Sequence, residues 1–166
     1  MSKFDLPTLT PEAYLELVAN RFLDEGDPIR AEQQQAYMRN QFAYYGLGAP
    51  HWLGLLKGIF HQNGTFNGKP LKEFVNLCLH QEYRELHYTG LEMMQVRINE
   101  WPSSWIKVIE TCITTQSWWD TVDWMAKLTG IHFRHYPELQ EPYAHKWIES
   151  NNMWLQRVAI IHQLLF

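Results

Sequence analysis

Proline at the opening of one apolar-periodic segment after another constrains this chain most. Thr10-Pro11 and Asp27-Pro28 each place a side-chain cap before a proline, the order that starts a helix. Ala49-Pro50 and Pro102 repeat the proline without a good cap. Between these points apolar residues recur at helical spacing, and no stretch keeps the period-two alternation of a half-buried strand. The spacing predicts helices over 11–24, 28–41, 50–62, 70–80, 83–99, 102–114, 118–128, 138–149 and 152–166. Asn63 to Pro70 is the clearest loop. The fold class expected is therefore all-α. Short turns between helices favour antiparallel pairs stacked as a solenoid, with an orthogonal bundle as the alternative.

At 166 residues, 46% of them apolar and 19% charged, the chain can bury a core and is expected to form one domain, 1–166. No apolar run reaches the roughly eighteen residues of a membrane span, and the N-terminus lacks a signal-type stretch. The expected setting is a cytosol or nucleoid, with Cys78 and Cys112 as buried thiols. The formal net charge of −4 argues against strong non-specific nucleic-acid binding, which rests on a basic excess. A DNA-binding role then requires the fold to sort the 14 Lys and Arg residues onto one face.

Chemistry concentrates in Ser117-Trp118-Trp119-Asp120-Thr121-Val122-Asp123, read with Trp154-Leu155-Gln156-Arg157. In a helix Trp119 and Asp123 stand one turn apart on one face. Arg157 adds a cation from a later helix. A π face, an anion and an arginine suit a ligand that is positively charged and attached to phosphate, and an alkylated purine in DNA fits. Ser117 with Asp120 reads as a capping box, which assigns Asp120 a structural role. Trp118 points about 100° from Trp119, so one is expected in the core and the other, Trp119, in a cleft. Trp147 and Trp154 read as core. The histidine pairs His132/His135 and His80/His87 lack the further ligands of a tetrahedral set, so neither a metal nor a cofactor is expected.

The end of the chain is unusual. Residues 152–166 hold ten apolar side chains, distributed all round a helix, whereas solenoids finish on a polar cap. The expectation is that more protein follows Phe166, or that a partner covers this helix on an otherwise monomeric chain.

Three blocks carry a resemblance to a known family. They are Tyr37-Met38-Arg39-Asn40-Gln41-Phe42 leading to Gly46-Leu47-Gly48-Ala49-Pro50, the tryptophan block at 117–123, and Lys146-Trp147-Ile148-Glu149-Ser150-Asn151-Asn152-Met153-Trp154-Leu155-Gln156-Arg157. In order and spacing the chain resembles the AlkD-like DNA alkylation repair glycosylases, built from HEAT-like helical repeats with a concave face. The resemblance implies a monofunctional glycosylase that binds duplex DNA and releases cationic N3- or N7-alkylated purines without full base extrusion. It places the catalytic tryptophan, aspartate and active-site arginine at Trp119, Asp123 and Arg157. Family members continue for several more helices, which carry a further cleft tryptophan, and often have basic residues where this chain has His51, Trp52 and Leu53.

On that reading Asp123 stabilises positive charge at C1′ and orients a water. Trp119 offers a cation–π face, and Arg157 holds the phosphate beside the lesion. An ion pair with Glu149 is the alternative for Arg157. Arg39, Lys57, Arg84, Lys127 and Lys146, with Lys107 and Arg134, are candidate phosphate contacts. The rival to the whole reading is a HEAT-like scaffold that binds DNA or a protein without chemistry.

Overall fold

A computed structural model describes residues 1–164, and the last two positions of the helix expected over 152–166 lie outside the described residues. Helices dominate: α1 Pro11–Glu25, α2 Pro28–Tyr37, α3 Ala49–Asn63, α4 Gly68–Leu79, α5 Arg84–Val96, α6 Ile106–Thr114, α7 Trp119–His135, α8 Gln140–Ile148 and α9 Met153–Ile161. Among the described residues the only β pairing is an isolated bridge between Ala43 and Tyr83. The fold is all-α, and among successive helices α4 packs on α5, α6 on α7 and α8 on α9.

The caps read from the sequence hold at α1 and α2. Thr10 accepts from the Ala13 N–H, and the Asp27 carboxylate accepts from the Ile29 N–H at 2.9 Å. Several boundaries differ. α2 stops at Tyr37, because Arg39 and Asn40 both take positive φ. Ser103–Trp105 form a 3-10 turn before α6, and Pro137–Leu139 do the same before α8. α4 runs Gly68–Leu79, so it begins inside the segment expected to be loop. α7 runs past Gly130 to His135 because Leu128, Thr129, His132 and Phe133 continue its buried face. The Ser117–Asp120 capping box does not form. The Ser117 hydroxyl donates back to the Ile113 carbonyl, and Trp118 is the residue preceding the helix.

Internal contacts divide the chain into two compact units, Met1–Val96 and Arg97–Phe166. In the first, α4 packs on α5 and on α1. Gly90 permits the α4–α5 approach: a Cβ there would sit 2.9 Å from the Cys78 Cβ. Tyr14, Phe66 and Phe74 form an aromatic cluster with centroids 5.3–5.6 Å apart, and the Tyr14 hydroxyl donates to the Gly64 carbonyl. Both cysteines are buried thiols, and burial pushes Cys112 up to about 12.

In the second unit α6 packs on α7, α8 on α9, and α9 also on α6 and α7. Its core holds Trp105, Ile109, Ile113, Val122, Met125, Trp147 and Val158. Trp147 is core, as the sequence suggested. α9 is less enclosed than its composition implied. Val158 and Ala159 are buried, but Met153 and Ile160 are exposed, as is Leu164 beyond its end. No helix among the described residues is long and apolar enough to cross a membrane.

Candidate functional site

Within the second unit, α7 and α9 bring the sequence-singled residues together. Thr115 and the positive φ of Gln116 turn the chain out of α6, and α7 begins at Trp119. Its apolar positions face α6 and α9, which leaves Trp119, Asp123 and Lys127 on one ribbon at successive turns. Trp119 is 43% exposed and Lys127 is exposed. Trp118 was expected in the core but is half-buried, and it meets Trp154 of α9 with ring centroids 6.0 Å apart. Trp154 is therefore half-buried against Trp118 rather than part of the closed core.

The entry of α9 is fixed by Asn152, whose side-chain oxygen accepts from the Trp154 and Leu155 N–H groups at 2.9 and 3.2 Å. One turn on, Arg157 meets Asp123 side-on. Nε donates to Oδ1 at 2.6 Å and Nη2 to Oδ2 at 2.9 Å. Glu149 is not its partner. Those hydrogen bonds to Asp123 hold the Arg157 guanidinium above its ordinary value, despite a smaller opposing effect of burial. Both side chains remain open, at 43% for arginine and 39% for aspartate. An ion pair so exposed is worth only about 0.2–1 kcal/mol, so it is a feature of the site more than a fastening of the fold.

A second polar cluster joins α6 to α8. Glu110 accepts from the Lys146 ammonium at 2.8 Å and from the Trp147 indole N–H at 2.9 Å through one oxygen. Burial alone would raise the Glu110 carboxyl, but those two hydrogen bonds and the lysine charges outweigh it and hold it low. Lys146 is thus committed to Glu110 while remaining exposed, a state the sequence did not reveal.

In the first unit the candidate phosphate contacts separate. Arg39 and Lys57 are exposed. Arg84 is not available to a phosphate: it is fully buried, with its guanidinium 3.7 Å from the centre of the Phe42 ring and Nη1 3.1 Å from His87 Nδ1. Its neighbour Glu85 is the residue that sequence reasoning missed. This fully buried carboxylate accepts from the backbone N–H groups of Tyr45, Gly46 and Leu47 at 3.0–3.2 Å. Burial raises the Glu85 carboxyl, and these bonds oppose the rise. Gly46 has φ +96°, and a Cβ there would lie 1.9 Å from the Asp27 carbonyl oxygen. The loop between α2 and α3, which carries most of the first sequence block, is therefore clamped by Glu85 at residues 45–47.

Among the described residues no group of three metal-ligating side chains converges. His132 is buried against Trp101 and Tyr136, and its Nε2 lies 3.3 Å from the Ser103 carbonyl.

With this geometry in hand, comparison with known proteins is informative. A sequence profile described as DNA alkylation repair enzyme matches residues 18–166. A solved structure described as a predicted DNA alkylation repair enzyme from Enterococcus faecalis is similar at a TM-score of 0.72 and 22% identity. The similarity covers 84% of this chain and 66% of that one, so the chain spans less than two thirds of that structure's length. At this identity the likeness speaks for the helical fold. No curated protein matches the chain significantly.

Proposed function

This chain belongs to the DNA alkylation repair enzyme family, and on that premise we propose that it is a monofunctional DNA glycosylase releasing cationic N3- and N7-alkylated purines from duplex DNA. The observation that carries the reading is the side-on pairing of Asp123 with Arg157 at a half-exposed position. The exposed face of Trp119 lies one helical turn away on the same ribbon. One constellation thus offers a carboxylate for developing positive charge, an arginine for a phosphate and an aromatic face for a cation.

Alkylation at N3 of adenine or N7 of guanine makes the base cationic and weakens its bond to C1′. As that bond breaks, its electron pair moves to the base nitrogen and neutralises the base, while positive charge grows on the deoxyribose. Water adds its oxygen to C1′. The proton it sheds passes to the Asp123 carboxylate and on to solvent. Asp123 also opposes the sugar charge electrostatically. At an effective dielectric near 20, two unit charges roughly 4 Å apart interact by about 4 kcal/mol, which sets the scale of that help. Trp119 adds a cation–π contact worth about 0.5–2 kcal/mol. Lys127, exposed one turn beyond Asp123, would meet backbone phosphate on this reading.

The test is to incubate the chain with methylated duplex DNA and identify the released bases by mass spectrometry. The reading expects N3-methyladenine and N7-methylguanine, with the strand left intact at an abasic site. Release of neither base, with DNA binding retained, would overturn the enzymatic reading in favour of a binding scaffold.

A further inference from the structure

We propose that the Asp123–Arg157 pair is a closed state of this site, which the DNA phosphate beside the lesion opens by drawing Arg157 off the carboxylate. The inference rests on the glycosylase reading above and adds how that site is controlled. Both Asp123 oxygens point at the guanidinium, one at Nε and one at Nη2. A carboxylate held in this way has two of its roughly four lone-pair sites committed to the guanidinium, and its charge is largely neutralised by its partner. An arginine left in place would also set a cation beside a sugar that is itself becoming cationic. The pair as found therefore opposes the chemistry that the same residues would perform.

Opening it is easy for structural reasons. Both side chains are partly exposed, so a phosphate reaches them without unpacking the core. α9 does not depend on the pair for its position. Its first turn is capped by Asn152, Trp154 rests on Trp118, and Val158 and Ala159 are buried. The arginine side chain can swing while its helix stays still. Carboxylate and phosphate both present two acceptors to the guanidinium fork, so the exchange replaces one acceptor with an equivalent one. Asp123 is then bare only where a phosphate has been seated, which ties catalytic competence to the placement of the duplex.

Binding measurements test this without relying on catalysis. Fluorescence anisotropy would give the Kd of wild type, Asp123→Asn, Arg157→Ala and the double variant for a duplex with an uncleavable tetrahydrofuran abasic analogue. Asp120→Asn removes an equal charge nearby and serves as control. A closed pair that competes with phosphate predicts that Asp123→Asn binds about two- to fivefold tighter than wild type, the equivalent of an exposed ion pair. The gain should disappear in the Arg157→Ala background and exceed that of Asp120→Asn. Equal or weaker binding by Asp123→Asn would overturn the proposal, as would a gain that survives loss of Arg157 or is matched by Asp120→Asn. Base release by wild type without this coupling would sink the closed-state inference alone. Coupling without base release would instead strike the glycosylase reading.

Discussion

Two buried or half-buried glutamates tie distant segments of this chain together at the scale of single residues, and the sequence announced neither. Glu85 binds backbone N–H groups 38 to 40 positions away, and no side-chain pattern announces such a partner. Glu85→Gln would give those N–H groups one acceptor in place of two and turn an amide donor toward them. It is expected to destabilise the fold by about 1–3 kcal/mol in urea unfolding. Gly46→Ala should cost more than about 2 kcal/mol in the same assay, because both φ and the Asp27 carbonyl forbid a Cβ. Glu110 gives a pH prediction. Its carboxyl is held below the ordinary 4.5, so its stabilisation is complete above that value and is lost as pH falls through the lowered one. Glu110→Gln should therefore be clearly less stable than wild type at pH 7, and the difference should shrink as the pH is lowered below 4.5, as thermal melts would show. The one-turn spacing from Trp119 and a later arginine singled out Asp123 and Arg157 in the sequence, and the structure pairs their side chains. Arg84 was misread because a basic residue in a sequence does not disclose its exposure.

For the helices, the apolar period gave most locations, while ends were decided by interactions that the period does not contain. Ser117 turned back to Ile113 instead of capping α7, and Arg39 with Asn40 ended α2 through their backbone conformation. Trp118 and Trp119 illustrate what periodicity does resolve: a 100° step separates a ring packed on Trp154 from one facing solvent. α3 yields a prediction of the opposite sign from Gly46. Gly54 and Gly58 sit inside this helix on an open groove against α1, and a Cβ at either would meet nothing within 4 Å. Gly54→Ala and Gly58→Ala should each stabilise the protein by about 0.5–1 kcal/mol in denaturant midpoints, through helix propensity and a less flexible unfolded chain.

Across the whole molecule the sequence disclosed an all-helical chain but not its division into two contact units, because the break at Val96–Arg97 falls between helical segments with no linker composition. The net charge of −4 requires any DNA affinity to come from a few placed cations, of which Lys127 and Arg157 stand on the candidate site, while Arg157 is paired with Asp123 and Lys146 with Glu110. DNA affinity should accordingly fall with salt along a shallow slope, the signature of few phosphate contacts. The central claim is that Asp123 performs the chemistry. The most direct measurement is the single-turnover rate of base release from a duplex carrying one N7-methylguanine, for wild type and Asp123→Asn, against the spontaneous rate. The account predicts wild-type release well above the spontaneous rate, reduced by at least about a hundredfold in Asp123→Asn, the scale of a lost general base. Equal rates for the two proteins would contradict it.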